Sequence, residues 1–519
     1  MKERTRSQYS MLNMCTSVFG QVLSIALGFA ARTVFIYTLG RSYLGISSLF
    51  ENVLQVLSLT DLGLESAIVY SLYKPLQEKN EQKIASIMTL YKNAYRVIGL
   101  LILLAGLCVI PALPYLTKDS AAPVNLTAVY LLFLVQTASS YLLFAYRRTI
   151  FSADQRTYKP SLIGYVVRLL TVIVQILWLV LFRGRPVGYY GYLIIGVCMT
   201  VLTDVIVGVA AGKAYPALHI RHAERLPRHE LGVIKKNVIG TAFYKVCGVM
   251  TNSTDNLLIS LLVNVDTVGI YSNYMLIAGY IRMLLANLFD SVTGSVGNLF
   301  VTGTKEQGEF VFRCLCVMNT WLYGFCGVAF FTLANPFIQT VWLRDTGYLL
   351  PPVTVFLLFF YMILEGVQYS IKSYLTACGL YWRGKYRSLI SVLINLAVSV
   401  VLGRFCGLNG ILLGTVISYL ATMFWYDPML LYREVFRKPV TGYFVRYILR
   451  LAMVTGVALG MHWLCGRLPD TLGFFAVRVL LVLVVPNGVF FLVYCRTGEF
   501  AYLKKLVAGT LLRRSKKRT

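Results

Sequence analysis

Val268-Gly269-Ile270-Tyr271-Ser272-Asn273-Tyr274 opens an apolar run that continues to Phe300 and carries Arg282 and Asp290 in its interior. The run before it starts at Lys236, ends at a turn from Val263 to Thr267, and holds Lys245, Asn252, Asp255 and Asn256. A helix needs about 20 apolar residues to cross a bilayer, and both runs are long enough. An Arg or Asp at the centre of such a helix costs roughly 2.5–3.5 kcal/mol on insertion scales. Several together approach the ~5–15 kcal/mol stability of a whole domain. Either these charges pair between helices, or they face water and a ligand.

The rest of the chain repeats the pattern. Of its 519 residues 57% are hydrophobic and 14% charged, which fits no soluble class, and apolar runs recur from one end to the other. The sequence therefore describes an all-α polytopic membrane protein. Fourteen spans are expected, at 12–39, 43–72, 94–116, 125–146, 161–182, 188–212, 237–262, 268–300, 311–333, 349–376, 387–403, 408–432, 447–465 and 472–495. The first is too long for a signal-peptide core and is read as retained.

A net charge of +27 raises the possibility of a nucleic-acid partner, but the bases sit in short segments between spans, as membrane orientation requires, so no nucleic acid is expected. Only Arg41, Lys118, Arg183, Arg185, Arg344, Arg404 and Arg467 fall on the side opposite the N-terminus, the even-to-odd loops and the tail. The positive-inside rule then puts both termini in the cytoplasm. Eleven cysteines at irregular spacing read as small apolar fillers, with Cys406 and Cys465 near outer turns as one candidate pair.

Arg185-Pro-Val-Gly-Tyr-Tyr-Gly191 has a counterpart in Arg404-Phe-Cys-Gly-Leu-Asn-Gly410, Gly45-Ile46-Ser47 in Gly269-Ile270-Tyr271, and Thr149 to Ala153 in Ser373 to Ala377. These near-constant offsets describe two six-helix lobes, and an even helix number gives both the same orientation, a parallel repeat about an axis along the membrane normal. The domains are then 1–212 for the first lobe, 213–236 for a cytoplasmic loop, 237–432 for the second lobe, and 433–519 for two further helices and a basic tail.

Polar residues fall at helical spacing within the spans. They include Ser17, Gln21, Ser24, Gly28 and Arg32; Glu51, Gln55, Ser58, Asp61 and Glu65; Lys245, Gly248, Asn252 and Asp255; Arg282, Ala286, Asp290, Thr293 and Gly297; and Glu365, Tyr369, Lys372 and Thr376. One pair needs a single polar residue per helix, whereas such stripes suit a wetted wall as well as inter-helix glue. The 35 tyrosines divide similarly between belt or core residues and, at Tyr271, Tyr274, Tyr280, Tyr369 and Tyr374, rings placed to meet a sugar.

Asp61-Leu-Gly-Leu-Glu-Ser-Ala67, Tyr70-Ser-Leu-Tyr-Lys-Pro75, Tyr91-Lys-Asn-Ala-Tyr-Arg-Val-Ile-Gly99, Thr254-Asp-Asn-Leu-Leu-Ile-Ser260 and Val268 to Tyr274 resemble the Wzx-like polysaccharide flippases. These share a superfamily with multidrug and toxic-compound extrusion (MATE) pumps and lipid II flippases. The resemblance implies a V-shaped alternating-access transporter in a bacterial inner membrane that flips undecaprenyl-pyrophosphate-linked oligosaccharides to the outer leaflet. It also implies that polysaccharide polymerase and export machinery act as partners. The family's cationic cavity maps onto Arg32, Lys245, Arg282 and Lys372, with Tyr271 and Tyr369 beside them as sugar contacts. Asp255, Glu365 and Asp61 are the candidates for ion coupling, with Na⁺ or H⁺ as the ion and no other cofactor expected.

A drug exporter of the same fold is the alternative, for which an acid-dominated cavity is expected. A membrane glycosyltransferase or polymerase would need a catalytic group in a sizeable loop, and His219, His222 and His229 lie in a short segment without metal-ligand spacing. No nucleotide-binding Gly-rich motif occurs, so gradients or substrate supply must drive transport.

Overall fold

The computed structural model describes residues 6–58, 64–117, 122–220, 227, 231–232, 250, 253–302, 304–378 and 380–505. By contact the chain divides into two compact units, Met1–Gly269 and Ile270–Thr519.

The first unit contains α1 (Arg6–Leu39), α2 (Arg41–Leu57), α3 (Leu64–Gln77), α4 (Glu81–Val109), α5 (Leu113–Leu116), α6 (Leu126–Leu142), α7 (Arg148–Ala153), α8 (Tyr158–Leu181), α9 (Pro186–Ala214) and α10 (253–262). Helix α11 (Val265–Thr302) begins there and continues into the second unit, which adds α12 (Lys305–Pro336), α13 (Pro352–Val367), α14 (Tyr369–Ala377), α15 (Lys385–Ala421), α16 (Met423–Leu431), α17 (Thr441–Gly466) and α18 (Leu472–Tyr494). No described residue lies in a strand. The repeat assigns the seventh span to the second lobe, whereas the described part of that span packs with the first unit. Ser253 Oγ donates to Gln55 Oε1 at 3.2 Å, and the Ser260 hydroxyl donates to the Leu116 carbonyl.

Polar residues between the apolar runs start the helices. Asn80 and Asn125 side chains accept from the N–H groups of Lys83 and Ala128 at 2.9 and 3.1 Å, and Asn264 Oδ1 accepts from Thr267 N at 2.7 Å. Thr304 and Gln307 close a reciprocal capping box on α12. Nine helices are long and apolar enough to cross a membrane among the described residues, or ten if the bent pair Leu126–Leu142 and Ala145–Ala153 is one span. One of them, Tyr386–Phe436, contains two of the expected spans and turns at Gly407, whose φ of 54° and ψ of −133° suit a residue without a side chain. The expected span 349–376 is interrupted at Gln368 into α13 and α14.

The outer surface is apolar along whole helices. Leu170, Ile173 and Leu177 on α8, and Leu480, Leu483 and Val484 on α18, are all exposed. Such continuous apolar faces exceed what a soluble monomer presents and are satisfied by lipid. The protein is a multi-pass membrane protein.

One pair of glycines matched by the repeat, Gly45 and Gly269, lies at a mutual crossing. Gly45 lies against the Val265 carbonyl, and Gly269 against the Arg41 carbonyl, so that any Cβ at either position would collide with backbone. Beside this crossing Arg41 Nε and Ser42 Oγ donate to the two oxygens of Asp266 at 2.9 and 2.6 Å. The 224-residue offset therefore relates residues in direct mutual contact. Overpacking at a backbone crossing costs roughly 1–3 kcal/mol or more. Gly45→Ala and Gly269→Ala are each expected to lower the melting temperature and yield of detergent-solubilised protein. Gly279→Ala, which meets open space, is expected to change neither.

The two tyrosines of the Tyr91-to-Gly99 motif are packing residues. Tyr91 and Tyr95 are buried 4.5 Å apart, centroid to centroid, in a core with Ile150 and Phe151, and Thr149 Oγ1 donates to the Tyr91 hydroxyl at 3.3 Å. Cys406 is exposed and Cys465 buried, and both are free thiols, which removes the expected pair.

Candidate functional site

In the second unit the broken span brings Glu365 from α13 to Arg282 near the middle of α11, with Nη1 3.5 Å from Oε2. The side chains are 24% and 39% exposed, so the pair is neither sealed nor tight. Charge-assisted hydrogen bonds normally close to about 2.7–2.9 Å. Tyr271, three turns before Arg282 on the same helix, and Tyr361 on α13 both act electrostatically on this guanidinium. Ala278 and Ala286 at i−4 and i+4 keep the flanks of Arg282 small.

Across the break at Gln368, the exposed Lys372 places its Nζ 5.4 Å from the centroid of Tyr369. Tyr369 in turn joins the rings of Phe289 and Tyr323, at 5.7 and 6.5 Å. Gln368 is held by its amide to the Phe424 carbonyl at 3.1 Å and by the Tyr419 hydroxyl at 2.8 Å.

The two readings of the tyrosines now separate. Tyr274 donates to Asn335 Oδ1 at 2.5 Å and accepts from Leu350 N at 2.9 Å, while Tyr374 donates to the Gly308 carbonyl at 2.9 Å. Both therefore tie helices together. Tyr271 and Tyr369 are grouped with charge.

The first unit holds a second cluster. Glu51 on α2 is accessible although neighbouring helices surround it, and the charges of Arg32 on α1 and Arg168 on α8 both act on its carboxylate. Tyr192 on α9 lies within reach of all three charges, and Tyr189 shares a 2.8 Å hydrogen bond with Ser47. Two guanidiniums thus share one carboxylate. Arg168 and Tyr192 were missed in the sequence, although a charge in the middle of the fifth span is itself a signal.

Asp255 is buried on α10 in the first unit. Lys245 and Asp61 lie outside the described residues. The carboxylate found against Arg282 is Glu365, and the side chain of Asp290 lies outside the described residues.

No family model matches the chain, and no curated protein matches it by sequence. Solved structures do. The lipid II flippase MurJ in an inward closed conformation superposes with a TM-score of 0.65 at 15% identity, covering 94% of this chain and 100% of that one. An inward-facing multidrug resistance MATE family transporter of the MOP superfamily gives 0.55 at 12% identity over 84% and 96% of the two chains. The multidrug transporter DinF-BH in complex with R6G gives 0.53 at 17% identity over 84% and 99%. The fold is that of the MurJ and MATE transporters.

Within this MurJ/MATE fold not every intramembrane charge belongs to an accessible cluster. Arg387 on α15 and Asp427 on α16 form a close ion pair with side chains only 8% and 17% exposed, and Arg387 Nη2 also donates to Ser388 Oγ at 3.0 Å. Arg478 is 3% exposed and held by the Cys465 carbonyl and Asp470 at 3.2 and 2.6 Å. Arg387–Asp427 is a sealed structural pair and Arg478 a buried base tied to the end of its own helix hairpin, whereas Arg282–Glu365 and Arg32–Glu51–Arg168 are accessible polar clusters among the described residues.

Proposed function

We propose that the protein flips polyprenyl-pyrophosphate-linked oligosaccharides between leaflets. The observation that carries this reading is the surplus of accessible base over acid, with two guanidiniums around Glu51, Arg282 against Glu365, and the exposed Lys372 over the Tyr369 ring. A pyrophosphate moved through a membrane must exchange its water for fixed cations, and arginine meets phosphate with a planar fork of donors. The likeness to MurJ, a lipid II flippase, supports a lipid-linked cargo of this kind.

In this reading the incoming phosphate competes with Glu365 for Arg282, and the displaced carboxylate takes Na⁺ or H⁺ until the cargo leaves. Asp255 and Asp61 are further coupling candidates. The setting is a bacterial inner membrane with both termini cytoplasmic, and a polysaccharide polymerase and export machinery receive the product. Multidrug export is the second reading and rests on the likeness to MATE transporters.

The deciding experiment is reconstitution into proteoliposomes with a fluorescent polyprenyl-pyrophosphate oligosaccharide added to one leaflet. Accelerated appearance in the opposite leaflet is expected, with slowing in Arg32→Gln and Arg168→Gln. Transport of a cationic dye without movement of the lipid-linked sugar would establish the exporter instead. For topology, cysteines replacing Lys118 and Arg344 in a cysteine-free background are expected to label from outside intact cells. Labelling only after the membrane is opened would reverse the orientation.

A further inference from the structure

Helix α17 carries Arg446 and Arg450 one turn apart, at the seam between its two faces. On one side lie the buried Tyr443, Tyr447 and Val454, and on the other the exposed Val445 and Leu449, at 58% and 64%. Among the described residues no carboxylate comes within ion-pair distance of either guanidinium. The acids nearby are already committed: Glu309 to Lys438 at 2.5 Å, Glu434 to Arg383 at 2.8 Å, and Glu499 to Arg313 at 3.7 Å.

The groups that do surround the two arginines are donors or weak acceptors. The Cys316 thiol of α12 lies beside Arg450, as does the Tyr494 hydroxyl of α18; the Tyr432 hydroxyl lies beside Arg446, and Tyr443 is within electrostatic reach of Arg450. Tyr432, Tyr443 and Tyr494 are 3%, 3% and 6% exposed, and a guanidinium beside a hydroxyl can only donate to it, so their own O–H protons find no acceptor. A buried hydroxyl almost always finds a partner, and so does an intramembrane guanidinium. Two unneutralised cations and three unspent O–H donors in one place lack an anion.

Position selects the kind of anion. Arg446 and Arg450 lie roughly 7 and 14 Å along α17 from Thr441, which spans the headgroup layer and the first part of the hydrocarbon. The preceding turn exposes Arg433, Arg437 and Lys438, the pattern that attracts an anionic leaflet. Beside the seam the apolar stripe of Val445 and Leu449 gives acyl chains a surface to lie along.

We propose that Arg446 and Arg450, with the hydroxyls of Tyr432, Tyr443 and Tyr494, bind the phosphate of an anionic phospholipid at the basic end of α17. This site shares no residue with the two accessible clusters. The phosphate oxygens accept from both guanidiniums, the hydroxyls turn toward them, and the chains remain in the bilayer.

The test uses full-length protein in detergent, titrated with phosphatidylglycerol, phosphatidylcholine or inorganic phosphate and read by native mass spectrometry and by melting temperature. Phosphatidylglycerol is expected to remain bound and to raise the melting temperature, phosphatidylcholine to do neither. At about fivefold per basic contact, Arg446→Gln/Arg450→Gln should weaken phosphatidylglycerol binding about 25-fold. Because that double variant removes charge from a packed region, Tyr432→Phe/Tyr494→Phe supplies a milder arm. It deletes two hydroxyls whose protons have no acceptor in the protein and leaves every charge in place, so it should fold normally and should weaken binding several-fold. Equal retention of both lipids, or wild-type binding in both variants, overturns the site. Protection by inorganic phosphate matching that by the lipid would reject a lipid headgroup as the source.

Discussion

Arg282→Ala is expected to slow flipping of a lipid-linked oligosaccharide by at least about 30-fold while leaving the protein at wild-type abundance in the membrane. Removing one partner of a desolvated charge pair costs about 2–5 kcal/mol, and the low end applies here because the side chain is 24% exposed. Arg282→Lys should recover only part of the rate, since an ammonium cannot reproduce the planar fork. Abundance should hold because a 3.5 Å pair with 24% and 39% exposure contributes little to folding. Glu365→Gln separates the roles further. The pairing predicts that it leaves cargo binding intact or stronger, since Arg282 loses its competitor, but removes the ion dependence of transport. If instead Arg282→Ala depletes folded protein and Glu365→Gln restores it, the pair is structural. Normal flipping in Arg282→Ala at normal abundance rejects the site outright.

Much of this fold was legible because a membrane imposes few solutions on a chain. Runs of about 20 apolar residues suffice to describe an all-helical membrane protein, and the Gly-Ile that opens two of them marks a place where backbones cross closely, at Gly45 and Gly269. Intramembrane charge was equally visible, but its pairing was not. Helical periodicity places Arg282 on a face without saying which helix meets that face, so the partner sought in the neighbouring runs was found 83 residues further along, at Glu365. Arg168 escaped for a related reason, as it stands alone in its span and joins no stripe until α1, α2 and α8 bring it to Glu51. The break at Gln368 was hidden as well. Gly366, two residues earlier, is a weak mark on its own, and side-chain bonds from Tyr419 and to the Phe424 carbonyl hold the break in place.

Asp427→Asn should have the opposite signature to Arg282→Ala, with a large loss of folded protein and no separate effect on the transport rate per molecule that survives. Arg387 and Asp427 are 8% and 17% exposed, and the charge of Lys372 also acts on Asp427. Neutralising the acid removes the counter-charge of a guanidinium whose Nε already has no acceptor, leaving it neutral partners, the new amide oxygen and the Ser388 hydroxyl at 3.0 Å. Breaking a buried pair from one side costs about 3–5 kcal/mol, a large part of the ~5–15 kcal/mol that holds a typical domain. Membrane abundance and melting temperature, followed by size-exclusion chromatography of a fluorescent fusion, should both fall sharply. Replacing the two together, Arg387→Met with Asp427→Leu, removes both desolvation costs and keeps comparable volume, so stability should return to near or above wild type. Wild-type abundance and melting in Asp427→Asn alone would show that Arg387 finds another acceptor. The distinction between a sealed structural pair and the open Arg282–Glu365 pair would then have to rest on transport alone.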